Sequence, residues 1–212
     1  MDSPLTISER FFEEFCRRAS IRCERLIPDS KTKTPDYEIF LNDQPVIVEI
    51  KEIDRVKREP NGTYKLIVGD AARGAIREAN RQIRAKTKGL APGMVVLFEE
   101  EWMQVTPVNL RHAMYGEHTV DLHVPQDHRQ SPRIIGHRMG GHRQMSPANN
   151  TSTSAVAILE RERNGTLSLS VFHNRHTKQR IPTPCLAAYG IPQFILPKDY
   201  TGIPEWELVT EP

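Results

Sequence analysis

Apolar residues recur at helical spacing through Phe11, Phe12, Phe15, Cys16 and Ala19, which predicts a helix from about Ser8 to Ala19. Thr6 or Ser8 can cap it, and Glu9 falls in its first turn. The period then drops to two. Tyr37, Ile39 and Leu41 alternate with Asp36, Glu38 and Phe40, and Val46 to Lys51 forms a second β-branched run beyond the turn formers Asn42-Asp43-Gln44-Pro45. Pairing the two runs with Asn42 opposite Pro45 sets Glu38 against Glu49 and Asp36 against Lys51. Asp36, Glu38, Glu49 and Lys51 then share one face, and Tyr37, Ile39, Val48 and Ile50 the other. A second helix is predicted from Asp70, as N-cap, to Lys88, stopped by Gly89, with Ala72, Ala75, Ile76, Ala79 and Ile83 as its packing stripe. Gly93 to Phe98 is continuously apolar, the mark of a strand buried on both faces.

The order is therefore helix, two strands, helix, strand over residues 1–104. Ser20 to Lys33 reads as an edge strand or an irregular lead-in. Residues 55 to 68 read as a basic insertion turning at Asn61-Gly62. In the remaining chain, 105–212, a helix is expected between Met103 and Tyr115, after Thr106-Pro107, and His118 to Val124 alternates as a strand. Residues 125–154, rich in proline, glycine, arginine and histidine, read as one long loop. Ala155 to Leu159 and Leu167 to Phe172 flank Arg163-Asn164-Gly165 as a hairpin. The prolines after Ile181 argue against a helix there, and Tyr189, Phe194, Trp206 and Leu208 are expected to cover the core edge. Residues 105–212 are expected to add strands within the same globular unit.

At 212 residues the chain can bury a real core, with 38% hydrophobic and 26% charged residues. No apolar run approaches the roughly 20 residues of a membrane span, and the N-terminus lacks a signal-peptide layout. Three scattered cysteines, Cys16, Cys23 and Cys185, suit neither a disulfide framework nor a zinc knuckle, so a reducing cytoplasm is expected, with Cys16 as core filling. The net charge of +2 is uninformative, but its distribution is not. Residues 55–88 hold ten Lys or Arg against Glu59, Asp70 and Glu78, a local +7. Arg73, Arg77, Arg81, Arg84, Lys86 and Lys88 are expected on the outer face of the second helix, as a phosphate-binding surface.

Three carboxylates and a lysine on one face of a short hairpin repel at cross-strand separations of about 5 Å. A divalent cation removes that cost, and hard oxygen ligands suit Mg²⁺. With a lysine beside it, such a patch suits metal-assisted hydrolysis of a phosphodiester.

Thr34-Pro35-Asp36-Tyr37, with Glu49-Ile50-Lys51 beginning after twelve residues beyond Asp36, resembles the signature of the PD-(D/E)XK nuclease superfamily. The resemblance covers roughly the first hundred residues and rests on few diagnostic positions. It implies a restriction endonuclease-like mixed β-sheet flanked by helices, an α-β-β-α-β core, here with C-terminal β-hairpin additions. It also implies a metal-dependent nuclease cutting DNA rather than RNA, with 5′-phosphate products. Mg²⁺ or Mn²⁺ would be held by Asp36, Glu49 and the Ile50 carbonyl, with Lys51 positioning and activating water. An acid on the first helix joins the site in many members, Glu9 by helical angle or else Glu13, and Gln82 or Lys86 of the second helix can also reach it. Many members are dimers. The alternative is a nucleic-acid-binding or assembly module of the same fold without catalysis. His173-Asn174-Arg175-His176 invites a histidine-metal nuclease reading, which the missing helix behind it opposes.

Overall fold

The structure, a computed structural model, describes residues 4–27, 33–54, 67–100, 104–127, 129–200 and 202–210. Helix α1 is Ile7–Arg18. Thr6 caps it: its hydroxyl accepts from Glu9 N at 3.2 Å, and the Glu9 carboxylate accepts from Thr6 N at 2.6 Å. This reciprocal pair satisfies amides that the helix itself leaves without acceptors. Phe12, Phe15 and Cys16 are its buried stripe. Edge strand β1, Arg22–Arg25, leads to β2, Tyr37–Leu41, and β3, Gln44–Glu52.

The hairpin register differs from expectation. Leu41 pairs with Gln44, Phe40 with Pro45, Glu38 with Ile47 and Tyr37 with Val48. Asn42 and Asp43, at φ 49° and 63°, form the turn alone. A two-residue turn with both φ positive matches strand twist, and Asn and Asp tolerate that conformation better than most residues. Pro45 thus belongs to the strand. Ile47 N donates to Pro92 O at 3.0 Å, so odd-numbered β3 residues face the next strand; Pro45, odd and without an N–H, precedes that pairing. The pairing is shifted by two residues, Glu38 facing Ile47 instead of Glu49, so side chains keep their predicted faces while their opposite numbers change.

Helix α2, Asp70–Thr87, follows; Gly69 in the left-handed region is its N-cap, with Asp70 as the first helical residue. Strand β4, Gly93–Phe98, is buried at all six positions, as its apolar run predicts. A Cβ on Gly93 would lie 2.2 Å from Ile83 Cγ2, which is how closely α2 seats on the strand. Helix α3, Pro107–Tyr115, is capped by Thr106. Strands β5, Glu117–His123, and β6, Arg133–Gly140, pair as a separate two-stranded sheet. The expected long loop is therefore interrupted by β6: its Arg138 faces Thr119 and its His137 faces Val120, pairings that a single-segment reading cannot supply.

Strands β7, Thr153–Arg161, and β8, Leu167–His173, form the predicted hairpin. A short helix α4, Thr183–Ala187, corrects the expectation of no helix; its proline sits in the first turn, where the missing amide costs nothing. Strands β9, Gln193–Ile195, and β10, Glu207–Leu208, follow. Eight strands make one mixed sheet, β1-β2-β3-β4-β7-β8-β9-β10, parallel at β3/β4, β4/β7 and β8/β9.

Two cores cover its faces. One joins α1 to Tyr37, Ile39, Val48, Ile50, Val96 and Ala157; the other joins α2 and α3 to Val95, Leu97, Val156 and Ile158. Tyr189 packs on the first and Phe194 and Trp206 on the second, while Leu208 remains exposed. Cys16 is core filling as expected. The Asn61-Gly62 turn lies outside the described residues. Among the described residues no helix is long and apolar enough to cross a membrane.

Candidate functional site

Two strand ends and one helix flank build the site. Because Tyr37 pairs with Val48, Asp36 lies level with Glu49, the neighbour it lacks in the predicted register. Asp36 Oδ2 accepts from Ile50 N at 2.7 Å. Ile47 and Ile53 send their amides toward β4, to Pro92 O and Phe98 O, so even-numbered Ile50 turns both its amide and its carbonyl toward the Asp36 side. Asp36 thus sits beside Glu49 and the Ile50 backbone where β2 has not yet begun.

Glu49 points to the α2 face of the sheet and is 2% exposed. Its Oε1 accepts from Lys51 Nζ at 2.8 Å and from Gln82 Nε2, while its Oε2 is buried and meets no donor among the described residues. Lys51 Nζ also lies 3.5 Å from Glu78 Oε1, which Lys33 Nζ approaches to 3.3 Å.

Burial pushes the Glu49 carboxyl up to about 7, and the Asp36 charge adds to the rise. Asp36 is raised too, by burial first, against the Ile50 amide and Lys51, which favour its ionised form. Burial alone would pull Lys51 down, but Glu49, Glu78 and Asp36 together raise it, so it is an ammonium at neutral pH. Two carboxylates that resist joint ionisation, one with a bare buried oxygen, are the donor set that a hard cation would stabilise. Among the described residues no group of three His, Cys, Asp or Glu side chains gathers as a metal site. Asp36 and Glu49 are two carboxylates, one short of such a group.

Glu9 and Glu13 lie on α1, which packs on the opposite face of the sheet. The Glu9 carboxylate caps Thr6 and pairs with Arg25 at 3.5 Å, though its charge still raises Asp36. Glu13 accepts from Tyr37 Oη at 2.9 Å. Of the two α2 alternatives, Gln82 reaches Glu49, while Lys86 is exposed.

Arg77, Arg81 and Arg84 are exposed as expected, but Arg73 is not on the outer face. It is 8% exposed and donates to Val68 O at 3.1 Å. The helix begins beside it, so the guanidinium folds back on the entering chain rather than facing solvent. Glu78 and Lys33 are absent from the residues that pattern alone singles out. Glu78 sits one turn before Gln82 beside the alanine stripe, and that i, i+4 polar pair is the signal that marks the flank. No local signal marks Lys33.

No family model, curated protein or solved structure matches the chain.

Proposed function

We propose that the protein is a metal-dependent nuclease of the PD-(D/E)XK type, with a restriction endonuclease-like core, that hydrolyses phosphodiester bonds in DNA. The observation that carries this reading is Asp36 level with Glu49, whose buried Oε2 lacks a donor while Lys51 closes on its Oε1. The helix-hairpin-helix-strand order of α1, β2, β3, α2 and β4 supports it.

Asp36, Glu49 and the Ile50 carbonyl would hold Mg²⁺ or Mn²⁺. Such an ion supplies charge that polarises the phosphate and lowers the pKa of a bound water. Lys51, kept cationic by its three acidic neighbours, holds the attacking water by hydrogen bond and offsets the negative charge that builds on phosphorus. Its protonated state makes it an electrostatic and positioning group, not the base that takes the water's proton. Gln82 fixes the Glu49 carboxylate. Water oxygen bonds to phosphorus as the bond to the 3′ oxygen breaks; the water gives up a proton to solvent and the 3′ oxygen takes one from solvent, leaving a 5′-phosphate and a 3′-hydroxyl.

Supercoiled plasmid incubated with Mg²⁺ should be nicked or linearised by the wild type. Asp36→Ala and Lys51→Ala should each lose this activity with unchanged circular dichroism. Full activity in either variant would refute those roles. The competing reading, a binding module without chemistry, draws on the Lys51–Glu49 ion pair, which satisfies part of the site without any ion. Calorimetric titration with Mg²⁺ separates them, since a pure binder takes up none.

A further inference from the structure

A cleft of about 770 Å³ opens beside the C-terminal half of α2. Arg81, Arg84 and Lys88 line it from the helix, and Lys178 and Asn150 are among the residues that line it from other parts of the chain. Among the described residues no carboxylate lines it, although carboxylates are nearly as frequent in this chain as cations, at 27 against 29. Among the described residues none of these four cations has an ion pair with an acid. The facing wall is fixed in place. Asn150 Nδ2 donates to Gln144 O at 2.8 Å, Lys178 N to Thr151 O at 3.1 Å, and Gln179 Nε2 to Gly89 O at 3.3 Å. Thr153 Oγ1 donates to the buried Asn80 at 2.9 Å, tying that wall to α2.

Four uncompensated cations on a braced polar surface are a site for phosphate oxygens. Arg77 continues the helix row toward the N-terminus, so Arg77, Arg81, Arg84 and Lys88 recur every three or four residues over about 16 Å. A row of that length fits a linear polyanion better than a single compact anion. Among the described residues the cleft has no Phe, Tyr or Trp. Single-strand binding sites use aromatic platforms on which bases stack. Their absence from this surface points to a backbone whose bases are already stacked on one another.

We propose that this cleft seats the sugar-phosphate backbone of a nucleic-acid duplex. The row is centred about 130° round α2 from Gln82, so it grips the substrate on the flank remote from Glu49, and the duplex lies across α2 to reach both. The proposal rests on the nuclease reading only in placing the cut strand at Asp36 and Glu49. The recognition chemistry is that of any duplex backbone, so DNA and RNA duplexes form separate arms of the test.

Fluorescence anisotropy in EDTA, with labelled 20-base-pair DNA, 20-base-pair RNA and a DNA single strand of equal length, reads binding without cleavage. Wild type should bind a duplex more tightly than the single strand. Lys178→Glu and Lys88→Glu/Lys178→Glu should weaken duplex binding by roughly tenfold or more, and the double variant should lower the slope of log K against log salt by about two. Lys88→Arg/Lys178→Arg should retain wild-type affinity and slope. Unchanged binding by the Glu variants, or tighter binding of the single strand than of either duplex, overturns the proposal. Failure of the nuclease reading looks different: the wild type binds duplex but never cuts it with Mg²⁺.

Discussion

Glu49 accepts twice through one oxygen and leaves the other bare, and this asymmetry makes its behaviour testable. Its carboxyl moves from 4.5 to about 7 on folding, so the folded protein holds that proton more tightly than the unfolded chain. The metal-free protein should therefore keep this contribution to stability below pH 4.5 and lose it as pH rises through about 7. Urea midpoints from pH 4.5 to 8 should show that loss in the wild type and a flatter profile in Glu49→Gln; parallel profiles would contradict the assignment. Gln82 donates to Glu49 Oε1 and, on the proposed nuclease reading, positions that carboxylate. Gln82→Ala should weaken Mg²⁺ affinity on the order of tenfold, by calorimetry, with cleavage recovered at higher Mg²⁺. A fall in cleavage with unchanged Mg²⁺ affinity would mean that the amide acts on the substrate instead.

At the scale of elements, contacts that no single element specifies decide the site. The two-residue turn at Asn42-Asp43 sets the register that brings Asp36 level with Glu49. One inserted glycine between Asn42 and Asp43 should lengthen that turn and cost cleavage more than stability, because the strands can still pair while the carboxylates lose their relation. Comparing plasmid nicking with the urea midpoint checks this. Helix α1 takes much of its definition from Thr6, which both accepts from Glu9 and donates to it. Thr6→Ala should cost about 1 kcal/mol in chemical denaturation. The resemblance offers Glu9 as a site acid, but its carboxylate is held by that cap and by Arg25, so Glu9→Gln should disturb stability through the cap as well as any activity.

Across the whole molecule, one sheet takes strands from both halves of the chain. β4 pairs with β3 on one edge and β7 on the other, and Val156 and Ile158 of β7 share a core with α2 and α3. A fragment ending at residue 104 would expose one edge of β4 and part of both its faces, so it should show no cooperative urea transition; a sharp one would mark residues 1–104 as self-sufficient. Much of this order can be read along the chain, because it follows from local periods: the amphipathic stripe of α1, the alternation of β2, the all-apolar β4 and the small-residue face of α2. Asp36, Glu49 and Lys51 are legible for the same reason, since the expected and observed pairings differ by two residues, the period of side-chain alternation, and both put them on one face. Contacts between distant segments are not legible. The approach of Glu78 to Lys51, the inward turn of Arg73, the pairing of β6 with β5 and the cleft between α2 and Lys178 join residues whose neighbours in sequence say nothing of one another. Periodicity determines which face a side chain takes; only packing decides what meets it there.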